Sequence, residues 1–152
     1  MPYVKASRLI KANRLLIWKL VSNFEHYDTI HPETKQVTYT NISTDKVILE
    51  VTDLSNRRWK EEIIDWKEQH QYTLAVDVKS YPYPLNKHLT TIEINDNEQG
   101  SMLTVRIDYL VKYGSFGKLL DKISIKHALG KLTGQMLDNI ERLVSAETLQ
   151  NL

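Results

Sequence analysis

Apolar and polar positions along the chain divide it into strand-like and helix-like stretches. Residues 3–10 (Tyr-Val-Lys-Ala-Ser-Arg-Leu-Ile) predict a first strand. Asn13 offers an N-cap for a helix over about 14–23, with Leu15, Leu16, Trp18, Leu20 and Val21 as its apolar side. A second short helix or turn over 23–30 stops at His31-Pro32, because the residue before a proline avoids helical backbone. Strand patterns then recur near 35–42, 46–53, 57–67, 71–79, 88–95 and 102–112. Short turn-rich segments separate them, so neighbours are expected to pair as antiparallel hairpins. A last helix is predicted from about Ser115 to Glu147. This order is an α+β layout, a curved antiparallel sheet holding one long helix.

Strand phase sorts the side chains. Tyr72, Leu74, Val76 and Val78 share one face, as do Leu103, Val105, Ile107, Tyr109 and Val111; these apolar phases should be concave. Asp77, Lys79, Arg106 and Asp108 fall on the outward phase and read as surface pairs. The stretch 57–67 is mixed: Trp59, Glu61, Ile63 and Asp65 oppose Lys60, Glu62, Ile64 and Trp66. Either Glu61 or Glu62 is a candidate inward carboxylate, whose pKa burial would raise; the alternative is an edge strand wet on both faces. On the last helix, at about 100° per residue, Phe116, Leu119, Leu120, Ile123, His127, Gly130 and Gly134 share one face. Leu129, Leu132, Met136, Ile140 and Leu143 share another, so the buried face is expected to change over 125–132, with a bend near Gly130. The first half would then cover an opening and the second pack on the sheet. Gly130 and Gly134 either admit close sheet contact or leave room for a ligand.

Composition narrows the chemistry. A length of 152 residues fits one domain, 1–152, and 41% hydrophobic with 26% charged residues is ordinary globular usage. Twenty Lys and Arg against 19 Asp and Glu leave a net charge of +1, with no general attraction to nucleic acid. No apolar run reaches the roughly 20 residues of a membrane-spanning helix. With no cysteine, disulfides, thiolate catalysis and Cys-ligated metals are excluded, which suits a reducing, cytoplasmic compartment. Residues 1–24 carry five bases and no acid, yet the run Leu15-Leu16-Ile17-Trp18 is too short for a secretory core, so this segment is expected to be part of the fold. GxGxxG, GxxxxGK[ST], HExxH and GxSxG are missing, and the five histidines show no ligand spacing on one element. No metal or cofactor is expected. His127 reads as a core or cavity-wall histidine, His31 as a turn residue or one at a cavity mouth. Tyr81-Pro82-Tyr83-Pro84 is a stiffened loop or a lip over a pocket.

Several segments resemble the START/SRPBCC superfamily, which includes polyketide cyclase/dehydrase and lipid-transport proteins. They are Ser7-x-x-Ile10-x-Ala12, Ile17-Trp18-x-Leu20 and His31-Pro32 at the start. Trp59 to Trp66 with Tyr72-Thr73-Leu74 resembles the central hairpin, and Gly114 to Leu120 the entry to the last helix. The resemblance implies the helix-grip fold, a seven-stranded antiparallel sheet curled around a long C-terminal helix with an apolar cavity between. It also implies a function among carriers of lipids, sterols, quinones or hormones, aromatic cyclases, and activators of the Hsp90 chaperone. The connection Asn41 to Asp45 lacks the glycine-rich loop of the pollen-allergen branch. No motif carries over cyclase residues.

The expectation is therefore a binding module for a small hydrophobic molecule. Its candidate ligand-binding residues are His31, Trp59, Ile63, Tyr72, Leu74, Val76, Val105, Ile107, Tyr109, Phe116, Leu120, Ile123 and His127. The alternative is a cyclase or dehydratase with Glu61 or Glu62 and His127 as acid–base groups. A third is a chaperone-activating interaction protein, which requires a collapsed cavity and an exposed apolar patch. Ligand identity and oligomeric state stay open.

Overall fold

A computed structural model describes residues 1–150 apart from 44, 113, 116–118 and 120–123. Seven antiparallel strands form one curved sheet in the order β1-β7-β6-β5-β4-β3-β2. They are β1 (Tyr3–Ile10), β2 (Thr34–Ile42), β3 (Val47–Asp53), β4 (Arg58–Lys67), β5 (Gln71–Val76), β6 (Leu85–Asn97) and β7 (Gly100–Val111). Consecutive strands from β2 to β7 pair as hairpins, while β1 closes the far edge against β7. The chain must therefore cross the cup between β1 and β2. It does so with helix α1 (Arg14–Val21) and a 3-10 segment, Phe24–Thr29. The Asn13 side chain caps α1 by accepting from the Leu16 N–H at 2.8 Å. Helix α2 (Lys126–Gln150) completes the fold. This is the helix-grip arrangement that the strand pattern and the resemblance imply.

Three local departures from the expected pattern have physical causes. In β4 the register shifts between Ile63 and Asp65, so Ile64 is an extra residue in a bulge. Trp59, Glu61 and Ile63 keep the inward phase before the bulge. After it Trp66 pairs with Tyr72 and stacks on it, 5.9 Å between ring centroids. The mixed phases of 57–67 are thus two clean phases joined by a bulge, and the strand lies between β3 and β5 rather than at an edge.

The polar run 95–97 is not a loop. Asn95, Asp96 and Asn97 pair with Met102, Ser101 and Gly100, leaving Glu98-Gln99 as a two-residue turn, because the long ladder overrides weak strand propensity. Conversely β5 ends at Val76, and Asp77 to Ser80 form a turn in which the Ser80 N–H donates to the Asp77 carbonyl.

Over Lys126–Gln150 the last helix keeps one buried face, and most of the other expected face, Phe116, Leu120 and Ile123, lies outside the described residues. One stripe buries Met136, Leu137, Ile140 and Val144 in the core, and its N-terminal continuation, Leu129 and Leu132, is partly buried on the same side. The helix runs unbroken through Gly130. A Cβ at Gly130 or Gly134 would meet no heavy atom within 4 Å, so neither glycine serves a close sheet contact.

The core sits where α1, the 3-10 segment and the second half of α2 fill the cup. Ile17, Trp18, Val21, Phe24, Tyr27 and Ile30 pack on Tyr72, Leu74, Ile92 and Val105. The buried Tyr72 hydroxyl donates to the Val21 carbonyl at 2.7 Å, tying α1 to the sheet. Outside, Arg106 makes a two-pronged bond to Asp108, at 2.9 Å for each prong, as the outward phase predicts.

Candidate functional site

The packing leaves a cavity of about 280 Å³ at the end of the cup not covered by α1. Its walls come from five regions. The β4 strand contributes Trp59 and Glu61, whose side chains project inward two residues apart. The 81–85 segment adds Tyr81, Tyr83, Pro84 and Leu85, and β6 adds His88. The turn after the 3-10 segment supplies His31 and Glu33, and the start of the last helix Ile125, Ala128, Leu129 and Leu132. Trp59, Tyr81 and Tyr83 form a mutually tilted aromatic cluster, with ring centroids 5.1 to 6.0 Å apart.

The cavity shifts its ionisable groups toward their neutral forms. Burial pushes the Glu61 carboxyl up to about 7, while the neighbouring Trp59 indole N–H pulls weakly the other way without completing a hydrogen bond. No cation pairs with Glu61 among the described residues. Burial lowers His88 to about 4 and, with the nearby His88, lowers His31 to about 4. Both imidazoles are therefore neutral at pH 7. The Glu33 N–H donates to His31 Nδ1 at 3.2 Å, so the neutral ring carries its proton on Nε2. His88 is 7% exposed, and its Nδ1 has no hydrogen-bond partner.

A buried carboxylate fixes one wall. Tyr83 donates its hydroxyl to Asp53 Oδ2 at 2.9 Å and accepts from the Arg57 guanidinium at 2.9 Å. Arg57 Nε bonds the same oxygen at 3.0 Å. Burial alone would raise the Asp53 carboxyl. The Arg57 N–H, the Tyr83 hydroxyl, the Ser55 N–H and the guanidinium more than offset that and hold it below its usual value.

The structure divides the expected ligand-binding residues. His31 and Trp59 line the cavity. Tyr72, Leu74, Val76 and Val105 do not: they are buried in the packed core under α1, with partly buried Ile63 against the same cluster. Ile107 and Tyr109 lie one layer behind, packed with the cavity-lining Leu85. His127 is exposed and faces away from the cavity, because the helix presents Leu129 and Leu132 instead. Phe116, Leu120 and Ile123 lie outside the described residues. Of the two candidate carboxylates, Glu61 faces the cavity and Glu62 takes the opposite phase.

Several lining residues fall outside the set expected from sequence, and some of them carry a signal there. His88 shares the strand phase of Thr90, Ile92 and Ile94, all buried. The Tyr-Pro-Tyr-Pro segment contributes the pocket lip, one of its two readings. Helical periodicity puts Leu129 and Leu132 on the sheet-packing face, and only the tertiary arrangement places the cavity beneath them.

Comparison with known proteins agrees with this architecture. A family model described as polyketide cyclase / dehydrase and lipid transport matches residues 1–145. No curated protein matches the sequence. Among solved structures, the chain is similar to TTHA0849 of Thermus thermophilus, at TM-score 0.75 and 18% identity, covering 96% of this chain and 99% of that one. It is similar to the Zhui aromatase/cyclase of Streptomyces sp. R1128, at TM-score 0.67 and 10% identity, covering 93% and 95%. A START superfamily protein of Mycobacterium smegmatis gives TM-score 0.65 and 18% identity over 99% of each chain. At these identities the likeness concerns the fold.

Proposed function

The chain belongs to the polyketide cyclase / dehydrase and lipid transport family, and on that premise we propose that it binds one small, largely apolar molecule in the cavity. The supporting observation is the cavity itself: aromatic and aliphatic walls with a few convergent polar groups. Its size sets the scale of the ligand. A cavity of about 150 Å³ holds one benzene ring, so about 280 Å³ suits a frame of one or two rings. The four rings of a sterol exceed it. Burial of the ligand's apolar surface supplies the affinity, at about 25 cal/mol per Å² before association costs.

Filling the space tests this. Ala128→Phe and Leu132→Phe project new rings into the cavity, and each is expected to weaken binding of a two-ring aromatic ligand at least tenfold in calorimetry. Circular dichroism should stay unchanged. Binding unaffected by either variant would place the ligand elsewhere and overturn the proposal.

A second reading has one observation in its favour, the inward Glu61. A carboxylate with a pKa of about 7 is suited to take a proton from a carbon acid near neutral pH. His31 Nε2–H is the donor available to a developing enolate oxygen. In this form the acid–base groups are Glu61 and His31, in place of Glu62 and His127. The reading expects solvent deuterium to enter an enolisable two-ring ketone at its α-carbon, and Glu61→Gln to abolish that exchange. Exchange at the uncatalysed rate with the wild-type protein would exclude it. The chaperone-activating reading asks for a collapsed cavity, and the open space under α2 speaks against it.

A further inference from the structure

The walls of the cavity carry an asymmetry of charge. Glu61 and Glu33 border the space, and no lysine or arginine lines it among the described residues. Their field reaches inside: both carboxylates act on the Tyr81 hydroxyl, raising its pKa after burial has done so. The nearest guanidinium, Arg57, is committed to Asp53 and Tyr83. A carboxylate in an aromatic enclosure without a partner is costly, and a cation is what relieves it. The electron-rich rings of Trp59 and Tyr81 favour the same sign, while Tyr83 already carries the Arg57 guanidinium over its ring at 4.7 Å. His88 and His31, the two imidazoles on the walls, are neutral at pH 7, so neither adds positive charge to the space.

We infer that the cavity takes a monocationic ligand: an aliphatic ammonium on a one- or two-ring aromatic frame, the ammonium at Glu61 and the rings against Trp59 and Tyr81. This rests on the cavity being the binding site and adds the charge of the ligand. The ammonium donates to the Glu61 carboxylate. Below pH 7 the uncomplexed Glu61 is largely protonated. Capturing a cation then expels that proton, and the released proton reports on Glu61 directly. The imidazoles and phenols around the cavity do not titrate between pH 6 and 7.5. His31 and His88 are neutral above about 4, Tyr83 is pushed up to about 12, and burial raises Tyr27, Tyr72 and Tyr81 as well. Glu33 sits at the exposed rim.

Three probes on one frame separate the possibilities: 2-naphthylmethylammonium, the neutral 2-naphthylmethanol and anionic 2-naphthoate, each titrated calorimetrically at pH 6.5 in buffers of different ionisation enthalpy. The ammonium is expected to bind at least tenfold tighter than the alcohol, and the alcohol at least tenfold tighter than the carboxylate. Only the ammonium should release protons, about three-quarters of one per site. Glu61→Gln should abolish the release and weaken the ammonium at least tenfold, with the alcohol within about threefold of wild type. Equal or tighter binding of the alcohol or carboxylate, with Ala128→Phe still blocking it, would overturn the charge assignment and leave the binding reading intact. Failure of all three probes to bind would overturn both.

Discussion

At the scale of single residues, Glu61 is the group most at odds with its surroundings, and its effect on stability has a definite sign. Its folded pKa of about 7 lies above the ordinary 4.5, so the folded chain holds this proton longer than the unfolded one. Glu61 therefore lowers stability progressively as pH rises from 4.5 to 7. His31 and His88 act oppositely. Their folded pKa values near 4 lie below 6.5, so stability rises with pH across 4 to 6.5 and falls when acid forces both rings to charge. The wild-type curve should climb to about pH 6 and level off near pH 7. Glu61→Gln should let it climb further and raise stability at pH 8 by about 1–2 kcal/mol, less than the full pKa difference because the carboxylate borders a space water can enter. Urea melts at pH 5.5 and 8 would check this. An equal gain at both pH values would show that ionisation of Glu61 is not the cause.

At the scale of elements, two glycines make opposite predictions. Gly100 opens β7 with φ +142°, and a Cβ there would lie 2.2 Å from the Ile10 carbonyl oxygen at the end of β1. Both the backbone angle and the close approach demand glycine, so Gly100→Ala should cost about 2–3 kcal/mol. Gly130 lies inside the last helix with open space around it. Gly130→Ala should stabilise by about 0.5–1 kcal/mol through helix propensity. Thermal melts of the two variants shifting in opposite directions would support this account. A loss at Gly130 would mean that the helix needs freedom there. The bulge at Ile64 belongs to this scale too. Period-two alternation assumes an unbroken ladder, and one inserted residue inverts every side chain beyond it.

At the scale of the whole molecule, the concave face is divided between a solid core and a hollow, and the two should respond differently to truncation. Leu74→Ala removes a fully enclosed side chain from the core and should cost about 2–5 kcal/mol, with ligand affinity of the folded protein unchanged. If the ligand were to bind much more weakly to folded Leu74→Ala, the cavity would extend further along the sheet than described. The succession of strands, the inward phases of β5 and β7, the Asn13 cap and the candidacy of Glu61 or Glu62 as an inward carboxylate were legible in the sequence, because each is set by local periodicity and hydrogen-bond chemistry. Which part of that apolar face stays open was not. Tyr72, Leu74 and Val105 look the same in sequence as lining residues. They are packed because α1 and the 3-10 segment, crossing from one sheet edge to the other, occupy the space above part of the face, while the start of the last helix stands off from the rest. Alternation along a strand reports which side a residue faces; only the placement of distant elements decides whether that side meets another side chain or a void.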